Sequence, residues 1–361
     1  MENTGLKRLI CQRVRSSQFK TVTEVVEWMG AIQAQDLNSA KWAIGVRLLG
    51  STEKTINDAI DKADIIRVHL LRPTWHFVSA QDYSVFLALT APNINSALKY
   101  RRIQLNLDDS IFSKSNPALN EILHNGNHLT REELTAEMST IIPDLDSSKM
   151  NHILMEAEMN GLICSGRIKN KMPTYALTKE RIDDSGKLNG SFDKDKALRL
   201  LANKYFKSHG PATMSDFIWW SGLSAGDCRK ALSFIKKDLT IAKVGTNEYY
   251  YDANEVESSM DTLPEIALLP AFDEFIIAYK DRSAVLNFEN HELTVSANGV
   301  FRPVIVYDGQ VIGLWNKSVK KGTLQISVKW FIKPGKSVLS KLNSYAGEYA
   351  DFLDLEKVEV I

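Results

Sequence analysis

One pattern recurs along this chain, and it limits the fold more than anything in the composition: two short helices followed by a strand, a turn-rich tip and a return strand. In its clearest copy Thr130 stands where a helix N-cap belongs and Glu133 follows at capping-box spacing, so a helix is expected to open there. After the break at Pro143, a second helical run places Met150, Ile153, Leu154, Ala157 and Glu158 on one spacing and stops at Asn160-Gly161. Leu162 to Gly166 reads as a short strand, Arg167 to Pro173 as a basic tip, and Thr174 to Leu177 as the returning strand.

The same order returns further on. A helix holding Ala197, Leu200, Leu201, Tyr205 and Phe206 ends near His209-Gly210-Pro211, and Thr213 to Ser221 follows. Ser224 caps a run with Cys228, Ala231, Leu232 and Ile235, and strands at Leu239 to Val244 and Tyr249 to Tyr251 flank the turn Gly245-Thr246-Asn247. The N-terminal part reads likewise but less cleanly. Thr21 with Glu24 opens a helix through Val25, Val26 and Met29; a second carries Trp42, Ile44, Val46 and Leu49; a third lies around Ile56 to Ala63. Ile65 to Val78 then reads as one extended run, with Arg72, Thr74 and His76 on one face and Trp75 and Phe77 on the other. This is the order of a winged helix-turn-helix.

Beyond Pro264, strands are expected at Ile266 to Leu269, Phe275 to Tyr279, Val285 to Phe288, Val304 to Val306, Val311 to Trp315 and Thr323 to Trp330. The hairpin turn is Tyr307-Asp308-Gly309-Gln310, and a closing helix covers Ser337 to Leu353. The expected class is α+β, tandem winged helix-turn-helix units followed by a β-rich C-terminal domain. The divisions fall at 1–115, 116–190, 191–262 and 263–361.

Composition narrows the function by exclusion. Apolar runs such as Ile65 to Val78 are interrupted by charge well short of the roughly 20 residues a bilayer span needs. The N-terminus has an acidic residue, Glu2, at its second position and no apolar signal core, so a cytoplasmic protein is expected. Cys11, Cys164 and Cys228 are odd in number and far apart, which argues against a disulfide framework and a zinc site; no cofactor is implied. Lys plus Arg and Asp plus Glu are equal at 44 each, so any contact with DNA must come from local arrangement of charge.

Four segments carry a resemblance: Ala31-Ile32-Gln33-Ala34-Gln35-Asp36, Leu71-Arg72-Pro73-Thr74-Trp75-His76, His209-Gly210-Pro211-Ala212-Thr213, and Leu268-Leu269-Pro270-Ala271-Phe272-Asp273-Glu274. In order and over most of the chain they resemble the AlkZ-like winged-helix DNA glycosylases. That resemblance implies tandem winged helices and a β-rich region curved around duplex DNA. It also implies excision of N3- or N7-alkylated purines, in some members with unhooking of interstrand crosslinks, and a catalytic Q-x-Q segment at Gln33 and Gln35.

The chemistry is consistent with amides. A Gln side chain cannot take a proton from water, but it can orient one. A purine alkylated at N3 or N7 already carries positive charge and leaves without a general acid, so what remains is to position water and stabilise an oxocarbenium-like transition state with fixed dipoles. Asp36 adds a carboxylate that can act as a weak base or support the sugar cation. In a regular helix residues two apart diverge by about 200°, so Gln33 and Gln35 serve one nucleotide only from a turn or a helix end. Arg72, Thr74 and His76 are candidate DNA contacts, as are Lys280 and Arg282, and the tip cluster Arg167, Lys169 and Lys171 is a candidate phosphate clamp. His76 equally suits a structural role, one of Trp219 and Trp220 is expected in the core, and Asp273 with Glu274 suits capping or ion pairing better than catalysis. A monomer acting on duplex DNA is expected, with no Schiff-base lysine and hence no lyase step. A non-enzymatic winged-helix DNA-binding protein would explain the fold but would need neither Gln.

Overall fold

The computed structural model describes residues 3–16, 18–182, 192–257 and 266–361. Pro264 and the divisions expected at 190/191 and 262/263 lie outside these residues; residue 115 lies inside the helix Asp109–Ile122. The chain is α+β, and its contacts gather it into two compact units, one of Met1–Ile56, Arg199–Trp220 and Ser224–Ile361, the other of Asn57–Leu198 and Ser221–Leu223. Among the described residues no helix is long and apolar enough to cross a membrane.

The second of these units contains the clearest copy of the recurring pattern. Thr130 and Glu133 close a reciprocal capping box at the start of the helix Arg131–Ser139: the Thr130 N–H donates to Glu133 Oε2 at 2.8 Å and the Glu133 N–H to Thr130 Oγ1 at 3.2 Å. The helix Ser147–Met159 follows, capped by Asp146, and then the strands Ile163–Ser165 and Thr174–Leu177. Thr174–Leu177 is the central strand of three, between Leu129–Thr130 and Ile163–Ser165. Leu134, Met138, Met150, Ile153, Leu154 and Ile163 bury one face of these elements in a common core. The tip between the strands turns through Asn170 and Lys171, both at positive φ, and Lys169 and Met172 exchange backbone hydrogen bonds across it.

The run Ile65 to Val78 is not one strand. It is an antiparallel hairpin of Ile65–Leu70 and Thr74–Ser79, with Leu70 facing Thr74. Leu71 takes a left-handed φ of 61° and Pro73 removes a donor, so the chain reverses between the two strands. Arg72 therefore sits in the turn, off the strand face that alternation assigned to it. Two further corrections concern the C-terminal part. Phe275 to Tyr279 is expected as a strand, but Glu274–Ile277 is a helix that Asp273 caps through the Phe275 N–H at 2.9 Å. Val285 to Phe288 forms no strand either. Both runs are short, the first buried throughout and the second exposed from Asn287 on, with Phe288 90% exposed; a short apolar run shows no period that separates helix from strand.

In the first unit the four other strands expected beyond Pro264 join the unexpected strand Lys357–Val360 in one five-stranded sheet. Its order is Lys357–Val360, Thr323–Trp330, Gln310–Lys320, Val304–Tyr307, Ile266–Leu269, antiparallel except for the outermost pair at Lys357–Val360. Asp308 and Gly309, both at positive φ, make the tight turn before Gln310. The helix Lys336–Phe352 presents Tyr349 and Phe352 to Trp42, with ring centroids 4.6 and 5.0 Å away. The indole N–H of Trp42 donates to Leu268 O and that of Trp315 to Leu269 O, both at 2.8 Å.

Gly222 is where a side chain is least tolerable in the second unit. Its φ is +66°, and an added Cβ would lie 2.3 Å from the carbonyl oxygen of Leu71. Gly222→Ala is expected to destabilise by about 2 kcal/mol or more, from left-handed strain and the clash together. Thermal melting checks it: an unchanged melting temperature would contradict the close approach.

Candidate active site

Gln33 ends the short strand Ile32–Gln33 and is 4% exposed, whereas Gln35 lies in an exposed bend directly before the helix Leu37–Gly45. The segment is thus a strand end running into a helix start, the kind of irregular geometry two cooperating amides require. Asp36 is the N-cap of that helix; its Oδ1 accepts the Ser39 N–H at 2.7 Å. One of its oxygens is therefore committed to holding the bend, with the helix dipole favouring its negative charge.

Three stretches far apart in sequence hold this segment in place. Glu274, 1% exposed, accepts the Gln33 backbone N–H on Oε1 at 2.7 Å and the Trp220 indole N–H on Oε2 at 3.1 Å. His209 Nε2 lies 3.4 Å from the same Oε2, its ring stacks on Tyr205 at 4.9 Å, and its Nδ1 is 2.7 Å from Ser208 Oγ. Beside Glu274, Asp273 receives both terminal nitrogens of Arg47, at 2.8 and 3.0 Å, in a pair with no exposed surface. Arg47 also donates to Ala43 O at 2.8 Å and to Gln12 Oε1 at 2.7 Å, Gln12 donates to the Tyr279 hydroxyl, and that hydroxyl donates to His209 O at 2.7 Å. A buried bidentate pair of this kind tolerates desolvation because most of its donors and acceptors are satisfied.

Asp273 and Glu274 therefore act as cap, ion pair and anchor, as their sequence position suggested, and Trp220 is the buried member of its pair, with Trp219 38% exposed. Sequence reasoning missed Arg47, Gln12 and Tyr279. An Arg among the apolar residues Ile44, Val46 and Leu48 was the one available signal, since burying it there demands a carboxylate. It also missed Lys317, whose amine bonds the Tyr349 hydroxyl. The stem of Lys317 is exposed, but desolvation of its amine lowers its pKa, opposed by the carboxylates of Asp36 and Glu53.

Lys280 and Arg282 lie in the same unit. The Lys280 N–H donates to Asp216 Oδ1 at 2.9 Å and its side chain is exposed, whereas Arg282 is held by Ile276 O at 3.0 Å and lies over the rings of Phe301 and Trp219. In the other unit, Thr74 opens a strand, and His76 is 0% exposed with Nδ1 2.9 Å from Thr74 O, which fits the structural role better than nucleotide contact. Arg167, Lys169 and Lys171 are all exposed at the tip, but Lys169 is paired with Glu133.

Comparison with known proteins agrees with this architecture. Residues 26–352 match the family described as DNA glycosylase AlkZ-like. An interstrand DNA cross-link repair glycosylase of Streptomyces sahachiroi is 24% identical over 310 residues, covering 82% of each chain. The solved structure of the Streptomyces sahachiroi DNA glycosylase AlkZ superposes with a TM-score of 0.77 at 19% identity, over 99% of this chain and 98% of that one. The chain belongs to the AlkZ-like DNA glycosylase family. It is a DNA glycosylase, a hydrolase of N-glycosyl bonds.

Two measurements test the anchor. Asp273→Ala leaves Arg47 charged and buried without its carboxylate and is expected to cost about 3–5 kcal/mol, part of which Arg47→Met in the same chain restores; equal melting of wild type and Asp273→Ala would contradict it. Burial holds the His209 imidazole below its ordinary value of 6.5, against the pull of Glu274. The unfolded chain therefore takes up this proton at higher pH than the folded one. The stability it contributes is complete above pH 6.5 and is lost as pH falls from there toward the folded value. His128 and His152 are shifted in the same direction. His209→Gln should flatten, but not abolish, the fall in melting temperature on acidification.

Proposed function

We propose that this glycosylase removes N3- or N7-alkylated purines from duplex DNA, with Gln33 and Gln35 as the catalytic amides and Asp36 in support. The observation that carries the reading is the Gln33 N–H clamped on Glu274 while Gln35 and Asp36, two and three residues on, lie at the surface. A polar segment whose backbone is tied to a buried carboxylate has little freedom left, and fixed dipoles stabilise a developing cation because they need no reorganisation.

Water attacks C1′ as the bond from C1′ to the purine nitrogen breaks. The bonding pair leaves with the alkylated base, whose positive charge it neutralises, and the water's proton passes to Asp36 or to solvent. The cross-link repair activity in the name of the Streptomyces relative extends the proposal: a base still joined to the opposite strand is a substrate if the site works without drawing the base deep into a pocket. Arg72, Lys280 and the tip residues Arg167 and Lys171 serve the phosphates, and the protein acts as a monomer in the cytoplasm.

Incubation with a duplex bearing N7-methylguanine, followed by alkali, should reveal an abasic site. Gln33→Ala and Gln35→Ala should each slow single-turnover excision by roughly ten- to a thousand-fold with little change in duplex affinity. Gln35→Asp should retain activity and Gln35→Leu should lose it. Normal excision with a lowered melting temperature would make these residues structural. At the tip, Arg167→Ala with Lys171→Ala should weaken binding to damaged and undamaged duplex alike, lowering the salt slope by about 1–2. Lys169→Ala should matter less, because Glu133 already neutralises that lysine. A loss confined to damaged duplex would contradict the phosphate role.

A further inference from the structure

The balance of 44 basic against 44 acidic residues means that this glycosylase meets a polyanion through local excess of cation. The end of the helix Ala80–Gln104 supplies such an excess where sequence reading singled out nothing: Lys99-Tyr100-Arg101-Arg102-Ile103-Gln104, with no acidic residue. By the helical period Tyr100 and Ile103 share a face, and Lys99 and Arg101 flank Tyr100 at about 100° to either side. Leu98 points to the buried side, while Tyr100 is 72% and Ile103 62% exposed. Lys99 is exposed, and Arg101 is exposed with a hydrogen bond to Gln104 at 3.1 Å. Arg102 belongs to the structure rather than the surface: it donates to Asn95 Oδ1 at 3.1 Å and lies over the Phe112 ring, and Glu156 is its acidic counterpart.

Cations in the last turn of a helix have an ordinary explanation, since they complement the negative end of the helix dipole. That explanation does not extend to two large apolar side chains standing side by side in water on the same turn. An apolar ridge between two cations has the pattern of a surface that meets a duplex, apolar groups entering a groove while the flanking charges meet phosphates.

We propose that this helix end is a DNA-docking ridge: Tyr100 and Ile103 enter a groove of the duplex against sugar and base edges, and Lys99 and Arg101 straddle them on neighbouring phosphates. The proposal rests on duplex DNA being the substrate. No acidic residue lies in the stretch, which favours a polyanionic partner over a protein surface of mixed charge.

Two double variants of the full chain separate the parts: Lys99→Ala with Arg101→Ala, and Tyr100→Ser with Ile103→Ser. Because all four side chains are exposed, both variants are expected to melt close to wild type. Fluorescence anisotropy with undamaged and N7-methylguanine duplexes over a salt series is the readout. The charge variant should lose roughly tenfold in affinity at low salt for both duplexes and lower the salt slope by about 2, at about 0.9 per phosphate contact. The apolar variant should weaken binding with the slope unchanged. If wild type binds and both variants match it in affinity and slope, the ridge does not touch DNA, and the proposal falls while the glycosylase reading stands. If wild type itself does not bind duplex, the two fall together. If the apolar variant turns a wild-type dimer into a monomer in sedimentation and leaves DNA affinity alone, the face joins copies of this chain, and the proposal is again overturned.

Discussion

The carboxylate of Glu274 has both oxygens engaged, one by the backbone of Gln33 and the other by the indole of Trp220 with His209 close behind. A buried carboxylate is costly unless it is hydrogen-bonded, so each of these groups is needed by the others. The neighbouring Asp273 repeats the arrangement with Arg47. Two adjacent residues thus fasten the chain's first fifty residues, the helix through Tyr205 with its His209-Gly210 end, and the sheet strand Ile266–Leu269 into one body. The candidate catalytic strand end inherits its position from that fastening, and the Asp36 cap with Trp42 docked on Leu268 O carries it into the following helix.

An enzyme that acts on DNA with zero formal net charge relies on where its cations are free. Counting them overstates the supply. Arg8, Arg47 and Lys41 are buried and engaged with the protein itself, Lys169 is neutralised by Glu133, and Arg282 is spent on carbonyls and rings. Exposed cations include Arg167 and Lys171 at the tip, Lys99 and Arg101 at the end of the helix Ala80–Gln104, and Lys236, Lys237, Lys243, Lys280, Lys320 and Lys321 in the first unit. Phosphate contacts made by exposed cations weaken as salt rises.

Much of the local structure was legible. Thr21 with Glu24 and Thr130 with Glu133 form the capping boxes their spacing announces, because that motif closes within one turn and needs nothing distant. The strands Ile266–Leu269, Thr174–Leu177 and Thr323–Trp330 lie where β-rich composition placed them. The failures share a cause. Phe275 to Tyr279 became helix because Asp273 caps it, and Ile65 to Val78 became a hairpin because Leu71 accepts a left-handed conformation; in neither does the apolar pattern itself carry the decision.

For the site, the sequence by itself determined which side chains were available: two amides and a carboxylate in six residues, with turn chemistry just after them, and a family resemblance spread over the chain. Only the tertiary structure decided their circumstances. It recessed Gln33 and exposed Gln35, committed Asp36 to a helix end, and buried His76. It also brought Glu274 to a backbone N–H 241 residues away. Spacing along a chain governs contacts within a turn or a hairpin, but a buried charge finds its partner wherever the folded core brings one within about 3 Å, and no local pattern encodes that distance.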